Sequence, residues 1–337
     1  MQTNLSGHRI LIAKTTHLGD LVISLPLAAC LKKQFPGSTV MFLTQPRTAA
    51  VAERCLDVDA VYTEPDSFEG LVTLLTNLQL DVFIQVNTSK HLAEAAKAAN
   101  IPMRIGSLFR VYNWWLCTHL AFISREYKHL NKRLLDLEYL KPLGIATPDF
   151  DELPSLYRFS WHDPQPLIER LNLNMGKRRI ILHPCLITAK SHQWPLAAYH
   201  QLMASFDPQQ IQWIITGTAA DRAYLEPLLA INDPNIDYAD TVGQLALNEL
   251  ITLIMVCDGL VASNTGPLHL AAALGIKTLG FYQSKPAVFK RWAAAGNSVT
   301  MVHSKLPCQG DKSGKDCPCV QAIDTKQVQA VINGWFL

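Results

Sequence analysis

Residues 259–282 read GLVASNTGPLHLAAALGIKTLGFY. The first six residues form a short apolar run of strand character, PLHLAAAL has the length of a short helix, and KTLGFY reads as the next strand. Strand, tight turn, helix and strand make the repeating unit of a parallel sheet. Gly266 is expected to let the chain turn and Pro267 to occupy the first helical position, where a missing N–H costs nothing. Gly275 is expected to close the helix. Between residues 263 and 282 there is no acid and one lysine, yet Asn264, Thr265 and His269 remain. Thr265 and Gly266 fall at the positive end of the helix dipole among unpaired N–H groups, which suits an anion. The same residues also read as an ordinary helix cap with a bonded core histidine. This stretch alone leaves both readings open.

The same alternation extends in both directions. HRILIAK, STVMFLT, DAVYTE and DVFIQV read as strands, separated by the helical stretches DLVISLPLAACLKKQF, RTAAVAERCL and FEGLVTLLTNLQ, with KHLAEAAKAAN following. The rhythm breaks at 107–143, which reads as two successive helices. Residues 143–166 are rich in proline and acid and read as an interdomain linker. Alternation then restarts with RRIILHP, PLAAYHQLMASF and IQWIITG, continues through AADRAYLEPLLA, ALNELITLIMVC and the opening stretch to SVTMVH, and closes on DTKQVQAVINGWF. The fold class is α/β, with two Rossmann-like doubly wound domains, residues 1–160 and 161–337, facing each other across a cleft. Ligands of such sheets sit at the carboxyl ends of the strands.

The chain has 337 residues and a net charge of +2, so nothing global calls for nucleic acid. The start of the chain lacks a signal-peptide core, and its longest apolar run there, VISLPLAACL, is too short to span a bilayer and contains Pro26. A cytoplasmic protein is expected, with its scattered cysteines as reduced core thiols. Cys308, Cys317 and Cys319 stand close together, with His303 five residues ahead. Their spacing matches no standard zinc knuckle, so a structural or redox-labile cluster is expected and no metal or cofactor is assigned. Two Asp-x-Asp sequences, Asp57–Asp59 and Asp149–Asp151, lie before a short strand and in the linker, and neither is read as a metal site.

Asn264-Thr265-Gly266, two residues, His269-Leu270-Ala271, then Ala273-Leu274-Gly275 closely resembles the signature of the heptosyltransferase family, glycosyltransferases that move heptose from ADP-heptose onto lipopolysaccharide core. The resemblance continues in residues 10–40, in ILHPCLITAKSHQWPLAAYHQLM, in KHLNKRLLDLEYLKPLGI and in KRWAAAG. It implies the GT-B fold, with the donor nucleotide in the C-terminal domain and the closing helix packing back on the N-terminal one. It also implies metal-independent inverting transfer. Asn264 stands where many members carry aspartate at a position that contacts sugar hydroxyls. A different nucleotide-sugar donor, or a silent sugar-nucleotide-binding protein, is therefore kept as an alternative. A nicotinamide-dependent oxidoreductase is disfavoured because no Gly-x-Gly-x-x-Gly follows an early strand.

Direct displacement at an anomeric carbon needs a base for the acceptor hydroxyl. Asp20 follows Gly19 at the start of the first helix, where it reads either as an N-cap or as that base. The resemblance implies the base, with Thr16, His17 and Gly19 bordering the acceptor. The departing diphosphate needs fixed donors or cations, and Thr188, Lys190 and His192 are expected to supply them beside Thr265, Gly266 and His269. Asp221 is a candidate for the ribose hydroxyls. On the acceptor side Arg104, Arg110, Lys128, Lys132 and Arg133 are interleaved with the aromatic run LFRVYNWWLCTHLAF, which suits an amphiphilic phosphorylated acceptor. The expected partners are ADP-heptose and a lipopolysaccharide core precursor, at the cytoplasmic face of the inner membrane. Neither nucleic acid nor a stable protein partner is expected.

Overall fold

A computed structural model describes residues 5–123, 130–184, 193–308 and 318–336. The chain divides into two compact units, Met1–Ser160 and Trp161–Leu337. Strands of the first are β1 (Arg9–Ala13), β2 (Thr39–Thr44), β3 (Ala60–Thr63), β4 (Val82–Gln85), β5 (Met103–Ser107) and β6 (His119–Ala121). Those of the second are β7 (Arg178–His183), β8 (Ile211–Ile215), β9 (Tyr238–Asp240), β10 (Gly259–Ser263), β11 (Lys277–Phe281) and β12 (Val299–Val302). Every pairing within both sheets is parallel. The strand orders are β3-β2-β1-β4-β5-β6 and β12-β11-β10-β7-β8-β9. Counted from the first strand of each unit, both follow the doubly wound order 3-2-1-4-5-6.

Central strands such as RILIA and IQWII are almost wholly buried, because helices cover both faces of a parallel sheet. In the first unit Leu11, Met41 and Phe83 pack under Leu71, Leu75 and Leu92 of two covering helices, Phe68–Asn77 and Lys90–Ala98. In the second, Trp194, Tyr199 and Phe281 form an aromatic cluster with ring centroids 4.6–6.0 Å apart. The closing helix, Thr325–Gly334, delivers Val328 and Ile332 to this same core, followed by Trp335. Cys319 is buried there too. The closing helix thus contributes to the second unit's own core. Among the described residues no helix is long and apolar enough to cross a membrane.

Three departures from the sequence reading have local causes. DLVISLPLAACLKKQF forms two helices, Leu18–Ser24 and Pro26–Gln34, because Pro26 lacks the N–H that would continue the first. The stretch 107–143 holds the edge strand β6 between two helices, Asn113–Leu116 and Lys132–Leu137. Residues 143–160 of the stretch read as a linker are an integral part of the first unit, and 161–166 belong to the second. The former contain a 3-10 helix, Phe150–Leu156, bury Leu153 and pair Phe159 with Cys55. Three of the four carboxylates in the acidic pairs are held structurally. Asp57 is bound by the Arg158 guanidinium. Asp59 accepts from the Val40 N–H at 2.6 Å and pairs with Lys32, and Asp149 begins the 3-10 helix in a capping box with Glu152.

Candidate active site

In a sheet of order 3-2-1-4-5-6 the chain leaves in opposite directions from strands 1 and 4, opening a crevice at their carboxyl ends. In the first unit that switch point lies after β1 and β4. Thr15 spans it: its N–H donates to Asn87 Oδ1 at 3.3 Å, and its hydroxyl accepts from Asn87 Nδ2 at 3.2 Å. Gln45, just beyond β2, donates to the Thr15 carbonyl at 3.1 Å. The helix Leu18–Ser24 starts here, with His17 as its N-cap and no side-chain capping bond. Asp20 is the third helical residue, not the cap, and is half-buried. Among the described residues no hydrogen bond reaches its carboxylate, so it is not consumed in holding the helix. The exposed His17 has Nδ1 3.3 Å from an Arg47 guanidinium nitrogen. Thr16 Oγ1 is a buried oxygen with no hydrogen-bond partner among the described residues.

Beneath this helix lies a charge cluster that the sequence reading did not anticipate. Lys14, 3 % exposed, follows β1 and reaches Asp136 Oδ2 at 3.3 Å. Lys132 binds the other carboxylate oxygen, and Ser24 Oγ lies 2.8 Å from Asp136 Oδ2 and 3.0 Å from the Asp20 carbonyl. Burial acts to raise the Asp136 pKa, but the ammonium groups of Lys132 and Lys14 outweigh it and hold the carboxyl below its usual range. Burial lowers the Lys132 pKa, against the pull of Asp136 and, more weakly, Asp20. Asp136 therefore ties the end of β1, the helix bearing Asp20 and the helix Lys132–Leu137 together.

The expected acceptor residues separate. Lys132 belongs to this cluster, and Arg110, beyond β5 on the same sheet edge, donates to Thr88 Oγ1 at 3.0 Å. Arg104 lies instead near the amino-terminal end of β5, the opposite edge. Its guanidinium is held by the carbonyls of Leu116, at 2.8 Å, and Ile101. Arg133 is fully buried and donates from Nε to the Tyr157 hydroxyl at 2.8 Å, bracing the last segment of the first unit. Neither side chain faces the acceptor edge. Lys128 lies outside the described residues.

In the second unit the switch point falls after β7 and β10. Thr265 is extended (φ −130°, ψ 173°) and caps the helix Gly266–Ala273, while its hydroxyl donates back to the Ser263 carbonyl at 3.1 Å. The first-turn N–H groups therefore receive no cap from the Thr265 side chain. The sharp turn is made by Thr265, since Gly266 has no left-handed φ and is already helical, with Pro267 second. Gly275 closes the helix at φ +79°, as its sequence position suggests. Thr265 and Gly266 are half-buried, so the helix tip is not sealed, while His269 is 3 % exposed on the first turn. Asn264 Oδ1 is a buried acceptor with no partner among the described residues.

Across the switch point, His183 ends β7 with Nδ1 2.8 Å from Thr216 Oγ1. Burial pushes its imidazole down to about 4, against a weak upward pull from Asp221. Asp221 accepts at Oδ2 from the Thr218 N–H and hydroxyl, at 2.8 and 2.6 Å, so that oxygen caps its own turn. Thr188, Lys190 and His192 lie outside the described residues. His183 was passed over because a histidine ending an apolar strand carries no local signal. Only the adjacency of β7, β8 and β10 places it beside Thr216 and near Asn264.

The depressed His183 pKa makes a stability prediction. The unfolded chain takes up a proton near pH 6.5, whereas the native chain does so only near 4. The stabilising contribution is complete above pH 6.5 and is lost as pH falls toward 4. Its full size is about 3 kcal/mol at 1.36 kcal/mol per pKa unit. Urea unfolding of the wild type and of His183→Gln at pH 7 and 4.5 measures it as the difference in pH dependence between the two proteins. Equal slopes would contradict the buried neutral imidazole.

Comparison with known proteins agrees with this geometry. The family description "Glycosyltransferase family 9 (heptosyltransferase)" matches residues 71–319. Lipooligosaccharide heptosyltransferase 2 of Haemophilus influenzae is 23% identical over 324 residues, 90% of this chain and 92% of that protein. The structure of E. coli ADP-heptose LPS heptosyltransferase II superposes with a TM-score of 0.81 at 17% identity, covering 97% of this chain and 98% of that one. That of E. coli heptosyltransferase WaaC with ADP gives 0.73 at 15% identity, with 97% and 99% covered. The fold is GT-B, and the chain belongs to glycosyltransferase family 9, the heptosyltransferases.

Proposed function

We propose that the protein transfers heptose from ADP-heptose, with inversion, to an acceptor in the inner core of lipopolysaccharide at the cytoplasmic face of the inner membrane. The observation that carries the reading is that each sheet has at its switch point a reactive or anion-binding group and, within four residues of it in the chain, a buried oxygen with no hydrogen-bond partner among the described residues. These are Asp20 with Thr16 Oγ1, and the uncapped helix tip at Gly266 with Asn264 Oδ1. Buried polar atoms are normally bonded, and ligand hydroxyls supply the missing donors.

The Asp20 carboxylate takes the proton of the acceptor hydroxyl as its oxygen attacks the anomeric carbon. The bond from that carbon to the diphosphate oxygen breaks, and its electron pair leaves with ADP. The first-turn N–H groups of the helix Gly266–Ala273, with Thr188, Lys190 and His192, stabilise the departing charge. His269 supports this end of the helix, and Asp221 contributes through the turn it caps. Attack opposite the leaving group gives inversion. Arg110 and Lys132 receive anionic groups of the acceptor.

A thermal-shift series with ADP-heptose, ADP and UDP tests the donor assignment. At a hundredfold excess over Kd, a ligand specific to the native state adds about 2.7 kcal/mol. That corresponds to a rise of about 5–10 °C in Tm for a domain of this size. Preferential stabilisation by UDP would overturn the ADP reading. In this fold, the dinucleotide reading would be revived by stabilisation with NAD alone.

A further inference from the structure

The first unit displays an apolar surface that neither its core nor the chemistry at Asp20 uses. Among the described residues, eleven large hydrophobic side chains are exposed, and six of them fall between positions 109 and 122. These are Phe109, Val111, Trp114, Trp115, Leu120 and Phe122, from 36 % to 62 % exposed. All six belong to the segment that leaves β5 and returns through β6. Phe109 and Phe122 meet edge to face at 5.0 Å, joining the segment after β5 to the end of β6. Trp114 Nε1 donates to the Leu108 carbonyl at 2.9 Å, so its one polar group is satisfied while the indole remains 62 % exposed. Lys97 Nζ donates to the Trp115 backbone carbonyl at 3.1 Å, holding an ammonium against this segment, and Arg110 lies within the same run. From Ala95 to Arg125 there is no aspartate or glutamate. Leu120 belongs to β6, the strand that ends the sheet.

An exposed, largely aromatic segment that carries cations and no acid along its sequence matches a particular partner. Tryptophan favours the headgroup boundary of a bilayer, where its flat amphipathic ring sits between water and hydrocarbon. Lysine and arginine near that boundary add attraction to anionic headgroups. We infer that the Phe109–Phe122 surface docks the protein on an anionic lipid bilayer. Phe109 and Phe122 lie at the carboxyl edge of the sheet, the edge that also carries Asp20, so docking brings a lipid-anchored acceptor to the side of the unit where the base stands. The inference rests on the proposed function only for the identity of that acceptor.

Flotation of the full chain with vesicles of phosphatidylethanolamine and phosphatidylglycerol, against pure phosphatidylcholine, tests it without any sugar nucleotide. The wild type is expected to float with the anionic vesicles. Trp114→Gln with Trp115→Gln is expected to lower the bound fraction at least about tenfold. Val111→Glu, which sets a negative charge in the patch, is expected to act in the same direction. Trp161→Gln, at an exposed tryptophan of the second unit, is expected to have no effect. Thermal melting of each variant separates lost binding from lost folding. Flotation unchanged by the patch variants, or absent in the wild type, overturns the docking surface. So does a dimer, seen by mass photometry, that the paired tryptophan substitution dissolves without any vesicle binding. Failure of the proposed chemistry is read separately, as intact flotation without heptose transfer.

Discussion

Asp20→Ala is expected to reduce kcat for heptose transfer by about 10²–10⁴, the range a positioned general base contributes, while the Tm increase produced by ADP stays at its wild-type value. The first effect follows from the carboxylate's position. Asp20 is the third residue of its helix and plays no part in capping it. Its removal therefore leaves the helix end as it was and takes away only the acceptor for the hydroxyl proton. The second follows because the proposed diphosphate site lies on the other unit, at the helix Gly266–Ala273. Asp20→Asn keeps the shape without the basicity and is expected to behave like alanine. Transfer within tenfold of wild type in either variant would remove Asp20 from the mechanism. Loss of the ADP-induced shift as well would point to a collapsed fold.

The second large effect concerns stability. Asp136→Ala removes the only carboxylate in direct contact with Lys14 and Lys132 among the described residues. Lys14 is 3 % exposed, so its ammonium cannot recover hydration without local opening. Breaking a buried ion pair from one side costs about 3–5 kcal/mol. At about 2–4 °C per kcal/mol this corresponds to a fall in Tm of about 6–20 °C. Adding Lys14→Met to Asp136→Ala removes one stranded charge, so the double variant is expected to lose less than the sum of the two single losses. Differential scanning calorimetry of the four proteins gives the coupling. Additive losses would mean that Lys14 and Asp136 do not stabilise each other. The carboxyl's depressed pKa fixes the pH window: the contribution is fully present above the unfolded carboxylate value and is lost as pH falls through the lower native one.

The long elements were legible because each announces itself within its own span. RILIA and RRIILH are apolar throughout, as strands covered on both faces must be. The helix Gly266–Ala273 is bracketed by a proline near its start and a glycine after its end, residues whose backbone limits act over one or two positions. Among the elements missed were the three-residue strands β6 and β9, too short to carry a period. In the second unit the helix Pro286–Trp292 was also missed; it buries none of its side chains and so shows no apolar face.

By itself the sequence determined the alternation of strands and helices, the helix tip following Asn264 and the turn carrying Asp20, since those depend on neighbours along the chain. Only the tertiary structure decided which charges serve which task. Arg133 is spent on Tyr157, Arg104 on carbonyls at the far edge of its sheet, and Lys14 is joined to a carboxylate 122 positions away. The physical reason is that a side chain's partner is chosen by burial and by the order in which strands lie side by side. Neither is written in the residues that surround it in the chain.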